Sequence, residues 1–476
     1  MSYLIESEWS EATVGDVDLG DSRRTARAVQ MLARMAENPG GKLSDVFKSA
    51  KERDAAYDFM ESSRTRTCAL AEAFARSTAR ASAALDRVIV PVDGTSTSLT
   101  DNTGKKGFGR IGADVSRGVG LKVINVIAVS ADGVPVGLLD QEWWSRPKAP
   151  RRSKKAKRHA RGKKAPAEKE IHHWCKAIER SAFHLTKQRA LGWFQIDREG
   201  DAWPVLLQLA EAAEKGHWFT VRAAWNRVTQ ATGRDKQYLR ERMAKAKKLG
   251  TYSLEVAPGP GRSARTARMV AHAAEVTLRL RNKATGKITP LPVRAVWVHE
   301  KGTIPRGERG LDWLLLTNAP VDTFEQVRDI IKAYGMRWRI EEFHRTWKSG
   351  ACNVEDTQLR SREAVIRWAS MLAVVAVRIE RLKRLSREEP TRSAADELSD
   401  IEIEVLLLLK RREKKKTEQV PDAIPTLQQA VRWLADLGGY TGKSSGGPPG
   451  SITIQRGYDR VAISVQAILA WKDRNK

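Results

Sequence analysis

The sequence predicts an α/β protein in which a mixed sheet lies between helical segments at the two ends of the chain. The first 70 residues show the apolar spacing of amphipathic helices, and the pattern changes at Arg87 to short β-branched runs. Helical spacing returns from Thr323 onward, and at 476 residues the chain has room for roughly three domains. We expect a helical domain over residues 1–70, an α/β domain over 71–384 with a β-rich insertion at about 216–318, and a helical domain over 385–476.

The composition is that of a globular protein, with 41% hydrophobic and 30% charged residues. The three cysteines, Cys68, Cys175 and Cys352, are widely spaced and odd in number, which excludes a disulfide scaffold and a paired-cysteine zinc site. The N-terminus lacks the pattern of a secretory signal, and no apolar run approaches the ~18 residues of a membrane span. We therefore expect a protein of a reducing compartment, the cytoplasm, with no membrane association.

The charge balance indicates a polyanionic partner. The chain carries 84 Lys and Arg against 57 Asp and Glu, a formal net charge of +27, and such an excess favours phosphate binding through counterion release. The segment Lys148–Lys164 holds ten basic residues and no acid, which suits a phosphate-gripping segment or simply a solvated loop. A solubilising surface charge remains the alternative for the chain as a whole. Nucleic acid is the predicted partner.

Two basic helices are predicted near the N-terminus. Asp21 is placed to cap a helix that carries Arg23, Arg24 and Arg27 on one side, and the break at Asn38–Gly41 ends it. A second amphipathic stretch follows from residue 43 to residue 59. This arrangement suits a small DNA-binding unit, although two ordinary helices of a bundle fit the pattern equally well.

Two aspartates follow strands in the predicted sheet. Asp93 comes directly after the run Val88–Val92, and Asp197 comes directly after Leu191–Ile196. Carboxylates at neighbouring strand ends form a hard-oxygen site suited to Mg²⁺ or Mn²⁺. Because aspartate also favours turns, both interpretations stay open at this point. The other strands expected are Leu121–Val129 and Val134–Trp144, which form a hairpin, and Trp218–Arg222, Thr251–Val256, Glu275–Arg281, Pro292–His299 and Trp313–Thr317.

A polar helix after Ala333 strengthens the metal hypothesis. It places Tyr334, Arg337, Glu341 and Lys348 at steps of three, four and seven, which predicts that all four share one helical face. An acid flanked by two cations and a phenol suits a site for a metal ion and a phosphate. The alternative is a surface ion pair between neighbouring turns, which is worth little.

The stretch Tyr334–Gly350 resembles the signature of the cut-and-paste bacterial DDE transposases with a Tyr-Arg-Glu-Lys motif, of the insertion-sequence-four type. Other segments carry the same resemblance: Leu19–Arg27, Asp93–Ser96, Gln141–Pro147, Asp197–Asp201, Trp313–Thr317 and Leu437–Tyr440.

The resemblance implies an RNase H-like catalytic core. In it Asp93, Asp197 and Glu341 bind two Mg²⁺ ions, for which Mn²⁺ substitutes, and the metals assist in-line displacement at phosphorus. Members of this family nick the end of a transposable element, form and reopen a hairpin, and join the 3′ ends to target DNA. Asp201 and Glu199 lie close enough to Asp197 in sequence to compete for the metal, and the resemblance favours Asp197. Glu342 neighbours Glu341 but points off the signature face, and it is the next acid to consider there.

The resemblance also assigns DNA-contacting residues. Trp313 would stack on an extruded base, although its apolar strand by itself favours a core position. The other residues implied in DNA binding are Tyr334, Arg337, Lys348 and Arg222 near the reaction, with Arg23, Arg24 and Arg27 at the element ends. The implied partners are double-stranded DNA, both inverted-repeat ends and target, and a second copy of the chain in the DNA complex, with no small-molecule substrate.

Two other functions remain open. A metal-dependent nuclease on the same core would cut DNA without strand transfer. A non-catalytic DNA-binding derivative would inhibit transposition, against which the intact Asp93, Asp197 and Glu341 argue.

Overall fold

The computed structural model describes residues 4–112, 118–146, 169–232, 235–282, 284–414, 418–442 and 447–474. The basic segment Lys148–Lys164 lies outside these residues. The chain forms two compact units, which we call the helical unit and the sheet unit. The helical unit comprises residues 1–85, 94–149 and 339–476, and the sheet unit comprises residues 86–93 and 150–338.

The helices of the described residues are α1 Leu4–Val14, α2 Ser22–Glu37, α3 Leu43–Val46, α4 Ala50–Glu61, α5 Thr67–Ser82, α6 Ile171–Lys187, α7 Trp203–Glu214, α8 Leu239–Ala244, α9 Phe324–Met336, α10 Arg339–Lys348, α11 Arg362–Glu388, α12 Asp400–Glu413, α13 Leu427–Leu437 and α14 Ser451–Arg474. Helix α2 begins where predicted, because the Asp21 side chain accepts the amide hydrogen of Arg23 and caps it.

The strands are β1 Val88–Ser98, β2 Gly109–Arg110, β3 Val119–Val129, β4 Pro135–Trp144, β5 Gly192–Ile196, β6 Trp218–Arg222, β7 Val228–Thr232, β8 Asp235–Tyr238, β9 Lys248–Val256, β10 Arg265–Arg281, β11 Ile288–Glu300 and β12 Asp312–Thr317. The short pair β7 and β8, together with α8, was not predicted.

The sheet unit is built on a mixed sheet in the order β1-β5-β6-β12-β11-β10-β9. Strands β1, β5 and β6 are parallel, and the remaining neighbours are antiparallel. Every residue of β5 is buried, as expected of a strand covered on both faces. This sheet and the helices at both ends of the chain confirm the predicted α/β class and agree with an RNase H-like core with flanking domains. Strands β9 to β12 of the predicted insertion extend the sheet through β6.

The helical unit contains the predicted β3–β4 hairpin, which turns at Gly133 with a positive φ of 85°. Strand β3 also pairs with the second half of β1, where Leu99 N–H bonds to the carbonyl of Val119. Helix α11 is buried on most sides, which its nearly continuous apolar sequence requires. The C-terminal helices form an apolar cluster that includes Leu406, Trp433, Leu434, Tyr458 and Val461.

Strand β1 is longer than predicted. It continues past Asp93 to Ser98, so Asp93 lies within the strand and not directly after it. The polar stretch Gly94–Ser98 has weak strand propensity, but β3 supplies hydrogen-bond partners that extend the ladder.

The three cysteines are free thiols. Cys68 is exposed on α5, whereas Cys175 and Cys352 are buried. Burial raises the pKa of Cys175 to about 11 and raises that of Cys352 as well. None of the described helices has both the length and the apolar character needed to cross a membrane.

Candidate functional site

Asp93 and Asp197 occupy equivalent positions on two neighbouring parallel strands. Val92 of β1 pairs with Ile196 of β5, and each aspartate is the next residue of its chain. Both are half-buried, whereas Val92 and Ile196 are fully buried. Because Val92 and Ile196 are parallel partners, the two carboxylates that follow them lie side by side at the edge of the sheet unit where β5 ends.

Charged and polar groups accompany both carboxylates. The Arg337 guanidinium lies 3.9 Å from Oδ2 of Asp93, and neither side chain is more than one-sixth exposed. Asp197 accepts the amide hydrogen of Glu199 at 2.7 Å. At 3.9 Å the Arg337–Asp93 pair is in Coulomb contact without the short geometry of a bidentate bridge, so the cation balances the acid without enclosing it.

Trp313, Tyr334 and Arg222 form an aromatic and cationic group in the same unit. Trp313 is half-buried at the start of β12, and the ring of Tyr334 meets it edge-on with centroids 5.9 Å apart. The guanidinium carbon of Arg222 also lies 5.9 Å from the Trp313 ring centre, within the range of a cation–π contact. The apolar strand by itself favoured a core position for Trp313. The structure instead leaves the indole half-buried.

Burial dominates the electrostatics of this group. It raises the pKa of Tyr334, against the opposing effects of Arg337 and Arg222, and Asp197 adds to the rise. Burial likewise lowers the pKa of Arg222. The Tyr334 side chain is therefore a neutral phenol at physiological pH, able to donate a hydrogen bond to an anion.

The predicted continuous signature helix is interrupted. Helix α9 ends at Met336 and α10 begins at Arg339, and between them Arg337 N–H bonds to Tyr334 and Trp338 N–H to Gly335. These bonds span three residues instead of four, so the turn tightens and the helical hydrogen-bond ladder stops. The four signature residues therefore do not lie on the one continuous helix that their spacing predicted.

The break also assigns the signature residues to different units. Tyr334 and Arg337 belong to the sheet unit, and Glu341 and Lys348 lie on α10 of the helical unit. Within that unit the Lys348 ammonium is 3.6 Å from Glu355 and 3.5 Å from the hydroxyl of Thr95. Glu341 is half-buried.

Two of the acids that could compete for a metal, Asp201 and Glu342, are engaged in structural contacts, whereas Glu199 is exposed. Asp201 is fully buried, lies 2.6 Å from the Arg227 guanidinium and accepts the amide hydrogen of Ala224. Glu342 lies between two arginines, 3.1 Å from Arg339 and 3.3 Å from Arg384. Each of these two carboxylates therefore has a neighbouring guanidinium as a partner.

The N-terminal arginines differ in exposure. The side chain of Arg23 is 93% exposed, whereas Arg24 is partly buried and donates to the carbonyl of Leu19. Arg27 is half-buried on the same helix. Of the three, Arg23 is the side chain best placed to reach a ligand from α2.

Asp312 was not anticipated from the sequence. Its carboxylate accepts from the Trp297 indole at 2.8 Å and from Arg240 at 3.0 Å, and its carbonyl accepts from Arg222 at 3.2 Å. These bonds hold the strand at the residue before Trp313. The available signal was an acid directly preceding a tryptophan at the start of an apolar strand.

Within the described ranges, no group of three or more His, Cys, Asp or Glu is arranged to hold a metal ion. The pair Asp93 and Asp197 supplies hard oxygen donors of the kind that Mg²⁺ and Mn²⁺ prefer. The donor chemistry of the sheet edge therefore fits a divalent cation.

Two segments of the chain match known protein families. Residues 6–65 match the family described as Transposase DNA-binding, and residues 206–378 match the family described as Transposase DDE domain. The first segment includes the arginines of α2. The second begins after Asp197 and includes Arg222, Trp313 and all four signature residues.

Proposed function

We propose that this protein carries out cut-and-paste transposition of the insertion-sequence-four type, the group that includes the transposase of transposon five. The two matched domains support a DDE transposase with DNA as its partner. The enzyme would excise a transposable element at its inverted-repeat ends by nicking, hairpin formation and hairpin opening, and then join it to target DNA. The observation that supports this most is the placement of Asp93 and Asp197 at equivalent positions of β1 and β5, beside Arg337.

Asp93, Asp197 and Glu341 would hold two divalent cations, with Mg²⁺ as the natural ion and Mn²⁺ as its substitute. When bound, such ions activate an attacking oxygen and stabilise the leaving oxygen of a phosphodiester. The two aspartates fit this role because they are half-buried and carry hard donors at one sheet edge.

The residues around the carboxylates would hold the DNA strand being cut. Arg337 has its guanidinium at the sheet edge, where it would balance the charge of a phosphate as it balances Asp93. Tyr334 would donate its phenolic hydrogen to a phosphate oxygen, since a tyrosine is neutral at physiological pH and burial raises its pKa further. Lys348 on α10 would add a second cation.

Trp313 would act as the stacking surface for an extruded base. The Trp313 indole is half-buried, so part of it remains accessible to a base. The edge contact from Tyr334 and the cation–π contact from Arg222 hold the indole in its orientation. Extrusion relieves the strain of a hairpin at the cut end.

The flanking regions would recognise the ends and assemble the complex. In the N-terminal domain, proposed as residues 1–70, Arg23, Arg24 and Arg27 would contact the inverted repeats. The C-terminal domain, proposed as residues 385–476, would form the homodimer in the DNA complex, and the catalytic domain would span residues 71–384.

Salt dependence tests the DNA-binding part of this proposal. If ~6 or more phosphates are contacted, affinity for duplex DNA should fall on the order of 10³-fold or more between 50 and 200 mM salt. Fluorescence anisotropy with an end oligonucleotide measures it. A nearly flat response would remove the charge argument for a DNA partner.

A plasmid carrying two copies of the inverted repeat that flanks the gene tests the reaction. Incubation with Mg²⁺ should yield nicked, hairpin and double-cut products in that order, followed by joined products. Cleavage without joining would identify the metal-dependent nuclease instead. End binding without cleavage in either Mg²⁺ or Mn²⁺ would identify the non-catalytic inhibitor.

A further inference from the structure

Helix α10 carries a buried histidine one turn after Glu341. His344 is 9% exposed, and its Nε2 lies 2.9 Å from the amide nitrogen of Asn125, a fully buried residue of β3. The side-chain nitrogen of Gln141, on β4, donates to Asn125 Oδ1 at 2.7 Å. Three polar side chains from a helix and two strands thus form one hydrogen-bonded chain inside the helical unit.

The direction of these bonds determines which ring nitrogen of the histidine accepts a hydrogen bond. Because Asn125 Oδ1 accepts from Gln141, the hydrogens of the Asn125 amide nitrogen point toward His344. The Nε2 atom of His344 must then present its lone pair. The ring is held as the tautomer with its hydrogen on Nδ1. The directional hydrogen bond to Asn125 also specifies how α10 is rotated about its own axis.

An aromatic contact holds the next turn of the same helix. Trp143, two residues after Gln141 and on the same face of β4, meets Trp347 nearly edge-on at 5.7 Å between centroids. Trp347 is fully buried, and its indole donates to the carbonyl of Ala369 on α11 at 2.8 Å. The contact therefore fixes the position of α10 between the hairpin and α11.

The first turn of α10 is attached to the same hairpin. The Arg339 guanidinium donates to the carbonyl of Gly133, in the turn between β3 and β4, at 3.2 Å. Glu341 therefore lies between one anchor two residues before it and another three residues after it. Both anchors are on the β3–β4 hairpin.

We propose that Gln141, Asn125 and His344 are positioning residues for Glu341, an inference that rests on the proposed function. An apolar contact would hold α10 but tolerate rotation, whereas directional hydrogen bonds between buried side chains specify one orientation. Rotation of α10 would displace the Glu341 carboxylate, and displacements of ~1 Å can cost on the order of 10²-fold in rate. This role accounts for the Gln141–Trp144 motif, to which the proposed site assigns no function.

Substitutions of the hydrogen-bonded side chains Asn125 and His344 test the proposal. Asn125→Leu and His344→Leu should each lower the rate of DNA cleavage roughly 10- to 100-fold, the usual cost of losing a group that orients a metal ligand. Binding to an end oligonucleotide should stay unchanged. His344→Gln, whose amide oxygen can still accept from Asn125, should recover most of the rate.

A matched control separates positioning from stability. Val126→Ala removes buried volume from the next residue of β3 without touching the polar chain, and should lower the melting temperature while leaving the cleavage rate of the folded protein within about threefold. The double variant Asn125→Leu/His344→Leu should be no slower than Asn125→Leu alone, because Asn125→Leu already removes the hydrogen bond to His344. Equal rate losses in Val126→Ala and Asn125→Leu at equal melting temperatures would overturn the proposal.

A readout independent of activity distinguishes this inference from the proposed function. Hydrogen exchange of the backbone amides of residues 339–348 should accelerate at least about tenfold in Asn125→Leu and His344→Leu, but not in Val126→Ala or His344→Gln. Unchanged exchange in the two leucine variants would refute the positioning role even if cleavage is observed. Accelerated exchange in a protein that cuts no DNA would refute the proposed function alone.

Discussion

The two ends of strand β5 treat polar side chains in opposite ways. At its N-terminal end the buried His217 accepts the amide hydrogen of Gly192 at 3.0 Å and shares a second hydrogen bond with Thr186 at 3.0 Å. At its C-terminal end Asp197 is half-buried and lies at the sheet edge that also holds Asp93. One end encloses its polar group, and the other presents a carboxylate.

The difference indicates where stability and chemistry are located. A second buried polar group with a close partner follows just after Asp197: Asp201 is fully buried and forms an ion pair with Arg227. Residue type therefore does not separate the two roles, because aspartates four positions apart differ in burial: Asp197 is half-buried, whereas Asp201 is fully buried. A close, buried ion pair is structural, and a half-buried acid beside a more distant cation retains the capacity to bind a ligand.

The largest expected effect on DNA cleavage is at the C-terminal end of β5, at Asp197. Asp197→Asn should lower DNA cleavage by at least ~10³-fold, since the lost charge removes several kcal/mol of metal-assisted stabilisation. Asp93→Asn and Glu341→Gln should behave alike, while all three keep end binding and a wild-type melting temperature. The measurement is plasmid cleavage in Mg²⁺ beside a thermal melt. Glu199→Gln, an exposed neighbour, serves as the control, and full cleavage by Asp197→Asn would mean that the acid has been placed wrongly.

Asp201→Asn should show the reverse pattern. Removing one partner of the buried pair leaves Arg227 uncompensated and should cost ~3–5 kcal/mol of unfolding free energy. Cleavage per folded molecule should remain, as judged from chemical denaturation and activity at low temperature. A stable but inactive Asp201→Asn variant would assign the metal-binding role to Asp201. It would also contradict the division between a structural Asp201 and a ligand-binding Asp197.

The enclosed histidine predicts a pH dependence of stability. Burial lowers the pKa of His217 to about 4, below the 6.5 of an unfolded chain, so the unfolded state binds the extra proton as the pH falls. The stabilisation is complete above pH 6.5 and should be lost toward pH 4, by up to about 3 kcal/mol from this group. Denaturation of wild type and His217→Gln between pH 7 and 4 measures it. Parallel curves for the two proteins would show that His217 is not enclosed.

The smallest expected effect concerns Trp313. If it stacks on an extruded base, Trp313→Ala should spare the first nick and slow hairpin formation roughly ten- to a hundredfold, from ~1–3 kcal/mol of stacking. Trp313→Phe should lose less, and an abasic site beside the cut should partly restore Trp313→Ala. A time course of nicked, hairpin and double-cut DNA measures these steps. A uniform loss of every product together with a lowered melting temperature would instead indicate a core residue.

The sequence predicted those parts of the fold that depend on local pattern. Strand β5 was expected at residues 191–196 and lies at Gly192–Ile196, because five consecutive buried positions leave a clear signal. The second half of β1 was missed because its partner β3, and not its polar sequence, makes it a strand. The resemblance to DDE transposases was taken from the signature stretch, which lies within the segment that matches the Transposase DDE domain family.

The details of the site depend on contacts that sequence spacing does not reveal. The break after Met336 falls in a segment with continuous helical spacing, so the single helix predicted from that spacing is two helices in the structure. Asn125 and His344 are 219 residues apart, and their hydrogen bond depends on how α10 packs on the hairpin. The half-burial of Trp313 likewise depends on Tyr334 and Arg222, neither of which is a neighbour in the chain.

The cysteines provide a means of counting copies of the chain. Cys68 is exposed, whereas burial raises the thiol pKa of both other cysteines and keeps them out of contact with reagents. A maleimide dye at neutral pH should therefore attach once per chain, on α5, without any engineered residue. Single-molecule photobleaching on a tethered DNA end would then give one step for each copy, and two steps would establish the stoichiometry of the assembled complex.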